Sequence, residues 1–520
     1  MTVKSRLKSL FELKEGYVVP NGEKFSYFCY FTGQNTIYNL IAGFLTAFLL
    51  FQDVDVAKSA TVMLAVKIWD ACNDAIFGAV FDKVKFKSKL KFLPWLRISV
   101  AFIPLATVFL FAMPQGLAEN AKLAWFAVAY IVWDTVYTLC DAPLYGIVTS
   151  MTDCVRERET MMSIKGIFAN AGMGLTTLVT TLLISEKVGS NYATASVIIA
   201  VIAFATMLPL CIKGKERVLP PPTEEQFTVR RMLRYLFKNK YLLIFYAAFF
   251  FSSGLNVMAS LNLFVSFYVF DNSLFSLVAG AISIVPYLIF ALLVPVFIKR
   301  MNKITLYKLS LILSVAVNLV VFFAAYRNFT AYIVLTTVNS IPSAVAGVLL
   351  FMFTPDCAEY GKFKSGIEAR GITFCLQTFM AKLTGALSGA LGLYMLKFFD
   401  WKEISAQNFQ ELEQLAAQGI TQSDGAVKGL WFTFVILPVI GNAIAFLILQ
   451  LYKLKDRDVQ FMTDCNTGKI SREEALSNLS YGFKKREMFL AEAGAGEAEY
   501  VRKVTVDADD SDGDADCRTL

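Results

Sequence analysis

Histidine is absent from this 520-residue chain. Its absence removes the commonest metal-binding side chain and the one general base whose ordinary titration falls near neutrality. Any proton or ion chemistry therefore rests on carboxylates, Lys, Arg or Tyr. Charge is also scarce: 18% of residues are charged and 56% hydrophobic, with a mean hydropathy of +0.53. Soluble domains carry about 25% charged and about 45–50% apolar residues, so the solvent for most of this chain is lipid. The nine cysteines, Cys29, Cys72, Cys140, Cys154, Cys211, Cys357, Cys375, Cys465 and Cys517, include no C-x-x-C pair. They support neither a disulfide framework nor a zinc site. No Gly-Ser nucleophile turn or metal-ligand set is present, so neither an enzyme nor a cofactor is expected. The first 24 residues are polar and basic, lack the apolar segment of a secretory signal, and are expected to form a cytosolic tail. The net charge of +7 resides in short loops between apolar runs, a pattern of membrane topology and not of nucleic-acid binding.

A helix crossing about 30 Å of hydrocarbon needs roughly 20 apolar residues. About twelve such runs occur, near 25–51, 57–82, 95–114, 121–150, 161–185, 191–212, 241–268, 274–298, 304–325, 329–354, 371–399 and 428–452. Lys and Arg concentrate in alternate connections, notably Lys83 to Lys91, Lys213 to Lys240, Lys299 to Lys303 and Lys362 to Arg370. That bias predicts two cytoplasmic termini. The connection 213–240, with Pro220, Pro221 and Pro222, divides the runs into bundles at 25–212 and 241–452. The expected fold is an all-α membrane protein of twelve transmembrane helices in two six-helix bundles, the major facilitator architecture, with substrate and ion bound between the halves. MTDCVRE after the fourth run and FTPDCAE after the tenth hint at duplication. The remainder, 453–520, is expected to be a cytosolic helix and then an acidic disordered tail. The expected location is the plasma (inner) membrane, multi-pass, and the expected oligomeric state is a monomer.

The second run holds KIWDACNDAIFG, which places Lys67, Asp70, Asn73 and Asp74 along one helical face. Charge at the bilayer centre costs at least about 2.5–3.5 kcal/mol per residue, so such groups face a bundle interior or a water-filled cavity. Their hard oxygens suit Na⁺, Li⁺ or a proton; the competing reading is that Lys67 neutralises an aspartate in a structural ion pair. The fourth run, YIVWDTVYTLCDAPLYG, aligns Asp134, Thr138 and Asp141, with Tyr137 and Tyr145 nearby. If this face meets the second helix, Thr138 and Asp141 complete an oxygen cage with Asp70, Asn73 and Asp74. Asp134 lies nearer the extracellular end, where a water-facing charge is tolerable, and is read either as structural or as a solute contact. Gly78 and Asp82 before the basic loop have the pattern of the major facilitator helix-end latch. Arg156 and Arg158 in the loop VRERE, and Asp356 and Glu359 in the loop DCAEYGKFK with Arg370 beyond, are candidates for gating salt bridges or for solvated loops.

WDACND, YTLCDAP followed by RERE, DCAEYGKFKSG followed by Arg370 and Gly371, and LQTFMAK ending at Lys382 resemble the glycoside, pentoside and hexuronide:cation symporters, the family of melibiose permease. The resemblance runs in order from about Tyr27 to the last apolar run. It implies a cation site at Asp70, Asn73, Asp74, Thr138 and Asp141, with Asp141 also touching solute. It further implies solute contacts at Tyr137, Tyr145 and Lys382. Two departures stand out: Tyr38 replaces the family's first-helix carboxylate, and Lys165 lies near its fifth-helix arginine. The loss of that carboxylate argues against a melibiose-like galactoside, and Asp134, where melibiose permease has a small residue, is a candidate replacement. The expected function is cation-coupled symport, with Na⁺ or H⁺ as coupling ion, of a sugar, glycoside or uronate by alternating access. The alternative is a sodium-coupled carrier of lysolipid or another amphiphile.

Overall fold

The computed structural model describes residues 17–218 except 85, 87 and 89, then 236–365 and 370–480. The expected tails at 1–24 and 453–520 and the linker at 213–240 lie partly outside these residues. Long helices dominate: α1 (Asn21–Leu50), α2 (Val56–Lys83), α3 (Leu93–Phe111), α4 (Glu119–Met151), α5 (Val155–Ile184) and α6 (Tyr192–Lys213). After the central connection come α7 (Lys240–Gly254), α8 (Met258–Phe270), α9 (Phe275–Ile298), α10 (Lys303–Ala324), α11 (Phe329–Ser365) and α12 (Arg370–Phe398). The short α13 (Phe409–Ala417) precedes α14 (Asp424–Leu449), and α15 (Asp456–Asn466) and α16 (Arg472–Asn478) follow it.

Among the described residues, ten spans are long and apolar enough to cross a membrane, α7 and α8 counting as one. The two helices of comparable length outside that set are α1 and α2. Gln34, Asn35 and Asn39 dilute the apolar run of α1, and Lys67, Asp70 and Asp74 that of α2. The expected seventh span is broken at residues 255–257. Gly254 ends α7, and Ser388 Oγ of α12 donates to the Asn256 carbonyl at 2.6 Å, satisfying backbone that the break frees.

α1 packs against α5 and α6, α3 against α4 and α6, and α2 against α4. In the second set α11 packs against α9 and α10, and α14 against α7 and α10. Contact between the sets runs mainly through α2 with α12 and α1 with α8. At the α1–α5 crossing, a Cβ on Gly172 would lie 2.3 Å from the Thr32 carbonyl oxygen, so only glycine permits this approach.

The buried core is not divided at the chain midpoint. One cluster contains Phe48 and Phe51 with Phe264, Phe409 and Trp431, spanning both sets at one end of the helices. The Phe51 ring lies 5.3 Å from Phe264 and 5.1 Å from Phe409. Polar contacts at the same end join Asp55 to Lys397 at 2.8 Å and the Thr61 hydroxyl to that of Tyr394 at 2.7 Å. Glu186 there accepts from the Ser273 amide at 2.6 Å and its hydroxyl at 2.7 Å. A second cluster, including Phe245, Phe353 and Tyr452, belongs to the second set and to the segment after α14.

The two charged segments expected as loops are helical. Arg156 to Glu159 form the first turns of α5, and Asp356 and Glu359 lie within α11, which extends to Ser365. Helix propensity continues across both segments, and neighbouring charges hold them: Glu157 pairs with Lys24 at 2.8 Å, and Asp356 pairs with Lys303. The segment after α14 is ordered against this end, where Asn466 donates to Glu359 at 2.9 Å and Lys303 also meets Asp456.

Candidate functional site

Three and four residue spacings place Asp70 and Asn73 on α2, and Asp134, Thr138 and Asp141 on α4, along the faces by which those helices meet. Asn73 is central: its Nδ2 donates to Asp134 Oδ2 at 3.0 Å and to Thr138 Oγ1 at 3.2 Å. Asn73 is 1% exposed, Asp134 2% and Thr138 5%. Asp134 is thus interior and not water-facing, because the α2–α4 crossing covers it. The Oδ1 of Asn73 is buried without a hydrogen-bond partner, an arrangement that costs about 1–3 kcal/mol when nothing fills the gap.

Asp70 and Asp141 turn towards different helices. Lys382 on α12 pairs with Asp70 at 2.7 Å, so the nearest counter-charge comes from the other helix set and not from Lys67. Gln34 on α1 donates to Asp141 Oδ1. The side chains of Asp74, Asp82 and Arg370 lie outside the described residues.

On the other flank of Asp141 the wall is aromatic. Tyr38 is 42% exposed and its ring lies 5.8 Å from Tyr137, which stacks on Trp133 at 4.8 Å. Lys165 of α5 holds its ammonium 3.7 Å from the Tyr145 ring centroid and 4.7 Å from that of Phe31, both within cation–π reach. Tyr38, Tyr137, Tyr145, Lys165 and Asp141 therefore line one region. Carboxylate, amide and hydroxyl oxygens stand at one side, the donor types that hard cations take in general, and exposed rings with an ammonium stand at the other.

The candidate gating residues are spread. Arg156 is exposed, Arg158 donates to the Asp153 carbonyl at 3.4 Å, and Asp356 and Glu359 bond within the second set and its trailing segment. Sequence reasoning missed Gln34, whose signal was an amide one turn before Tyr38 in an apolar run. It also missed the pair of Glu23 with Arg217, 2.5 Å apart, which ties the connection after α6 to the start of α1.

Residues 27–456 match the family described as MFS/sugar transport protein. An isoprimeverose transporter of Lactiplantibacillus pentosus is 22% identical, covering 89% of this chain and 94% of that protein. A glucuronide carrier protein homolog of Escherichia coli (strain K12) is likewise 22% identical, covering 82% and 91%. Among solved structures, the nucleoside transporter NupG superposes with a TM-score of 0.58 at 14% identity, covering 83% of this chain and 100% of that one, which supports the fold.

Proposed function

Because the chain belongs to the MFS/sugar transport protein family, of the glycoside, pentoside and hexuronide type, we propose that it couples sugar uptake to a cation gradient through the α2–α4 carboxylates. It is a multi-pass membrane transporter of sugars, not an enzyme. In the proposed topology twelve crossings form two bundles, α1 to α6 and α7 to α14, with both termini cytoplasmic. The end closed by Phe51, Phe264 and Phe409 then faces outside, and the region of Tyr38, Tyr145 and Asp141 is reached from the cytoplasm. Asp70, Asn73, Asp74, Thr138 and Asp141 serve the cation, and Tyr38, Tyr137, Tyr145 and Lys165 the solute.

The observation that carries this reading is the Asp70–Lys382 ion pair across the two sets, beside Asp141 held by the neutral Gln34. A cation entering the aspartate wall competes with Lys382 for Asp70 and so links ion occupancy to the contact between bundles. By linkage, solute and cation raise each other's affinity by the same factor. An anionic sugar is the favoured cargo, because the Lys165 ammonium is held by two aromatic rings beside the solute region and one relative is a glucuronide carrier homolog.

Uptake into proteoliposomes of neutral glycosides, pentosides and glucuronides, under imposed Na⁺, Li⁺ or proton gradients, tests the proposal. Accumulation above equilibrium under one gradient is expected, and Asp141→Asn, correctly inserted, is expected to reduce it to passive equilibration. Equal uptake by the wild type in choline with no pH gradient would exclude coupling.

A further inference from the structure

We propose that Asp134 is a ligand of the coupling cation, and that the Asn73 side-chain amide occupies the ion's place when the site is empty. The inference rests on the coupling reading above and adds a residue to its ion site. Asn73 directs its NH₂ between Asp134 Oδ2 and Thr138 Oγ1, at 3.0 and 3.2 Å, while its own Oδ1 is buried and unpartnered. A positively polarised NH₂ donating to a carboxylate and a hydroxyl oxygen supplies the positive charge density that a small hard cation beside them would supply. A half-turn of that amide about its Cβ–Cγ bond exchanges NH₂ for the orphan oxygen. Carboxylate, hydroxyl and amide oxygens then border one gap between α2 and α4, the donor set of a hard metal cation. A proton needs the carboxylate alone and has no use for the other two oxygens, so the chemistry points to a sodium-like ion.

This placement separates Asp134 from solute. Its hydrogen bond runs to α2 at 2% exposure, whereas the solute wall of Tyr38, Tyr137 and Tyr145 carries two rings more than 40% exposed, those of Tyr38 and Tyr145. In this proposal Asp134 serves the ion, where the sequence left it as either a structural residue or a sugar contact.

The test is equilibrium binding of radioactive sodium to the purified full-length chain in lipid nanodiscs, at fixed pH and without solute. The wild type is expected to bind sodium saturably. Asp134→Asn is expected to raise the half-saturating concentration at least about tenfold, equivalent to about 1.4 kcal/mol, with Li⁺ competing in both proteins. Asp134→Ser, which keeps a small oxygen, is the second variant should the first fail to insert, and is expected to weaken sodium in the same direction. Unchanged half-saturation in an inserted variant overturns the role of Asp134 and leaves the coupling proposal standing. Absence of sodium binding in the wild type overturns sodium coupling itself, and this inference with it.

Discussion

Along α2 and α4 the chain sets Asp70, Asn73, Asp134, Thr138 and Asp141, whereas the middle of the second helix set contributes Lys382 and otherwise neutral polar groups. Ser283, Tyr287, Asn318, Asn339 and Ser343, for example, line a cavity of about 370 Å³ between α8, α9, α10, α11 and α14. In the middle of the helices the carboxylates thus reside in one bundle and the ammonium that pairs with Asp70 in the other. The comparison teaches that the oxygen-bearing side chains proposed to hold the ion are gathered within one bundle, across one helix crossing. Among the described residues, Lys382 is the ammonium of the second bundle that pairs with a carboxylate of the α2–α4 wall.

The sharpest way to break the comparison is to remove the cation that reaches the α2 aspartate from the other bundle. Lys382→Met leaves Asp70 without its 2.7 Å partner. Losing one member of a buried pair costs about 3–5 kcal/mol, and the partial exposure of both groups brings the expected loss to the lower end of that range. Uptake is expected to fall steeply and the thermal midpoint with it. Adding Asp70→Asn is expected to restore much of the midpoint, because the carboxylate that the first change left unpaired is then neutral. Equal destabilisation by the single and double variants would show that Lys382 acts by packing alone.

A smaller effect is expected within the first bundle, where the wall depends on close helix approach. Gly172→Ala places a methyl 2.3 Å from the Thr32 carbonyl oxygen, while Gly174→Ala, two residues on, meets nothing within 4 Å. Overpacking of this kind costs about 1–3 kcal/mol, whereas alanine at an open helical position is favourable by about 1 kcal/mol. Opposite shifts of the thermal midpoint are therefore expected from two identical chemical changes. Matching shifts would remove the α1–α5 crossing as the constraint.

Much of this arrangement was legible in the sequence because membrane helices announce themselves by length and hydropathy, and because charge inside such helices is costly. Spacing alone aligned Asp70 with Asn73, and Asp134 with Thr138 and Asp141. Partner choice was not legible: Lys67 lies one turn from Asp70 in sequence, yet Lys382 reaches it from more than three hundred residues away. The water-facing placement of Asp134 failed for the same reason, since its depth depends on which helix covers it. The charged stretches at 155–159 and 356–364 read as loops because their polarity resembles solvent exposure, although residues with good helix propensity simply continue α5 and α11. The break at 255–257 also escaped notice, because its carbonyl is satisfied by Ser388 on a distant helix.

The smallest expected effect lies at the sealed end, where charge pairs of the two sets meet in solvent. Lys397 contacts Asp55 at 2.8 Å and Glu403 at 3.0 Å, with side-chain exposures of 42%, 28% and 28%. Pairs this exposed contribute about 0.2–1 kcal/mol, far less than the aromatic contacts of Phe51 beside them. The Lys397 ammonium holds the Asp55 carboxyl below its ordinary range, helped by the Lys58 backbone amide. A depressed carboxylate contributes stability that is fully present above its ordinary pKa of about 3.9 and is lost as pH falls through the lowered value. The thermal midpoint is therefore expected to gain nothing from this pair between pH 8 and 5 beyond a constant, and to lose it only in stronger acid. Lys397→Met is expected to lower the midpoint by a degree or two while uptake persists. A collapse of uptake in that variant would make the ionic contact, and not the aromatic seal, the element that holds the two sets together at this end.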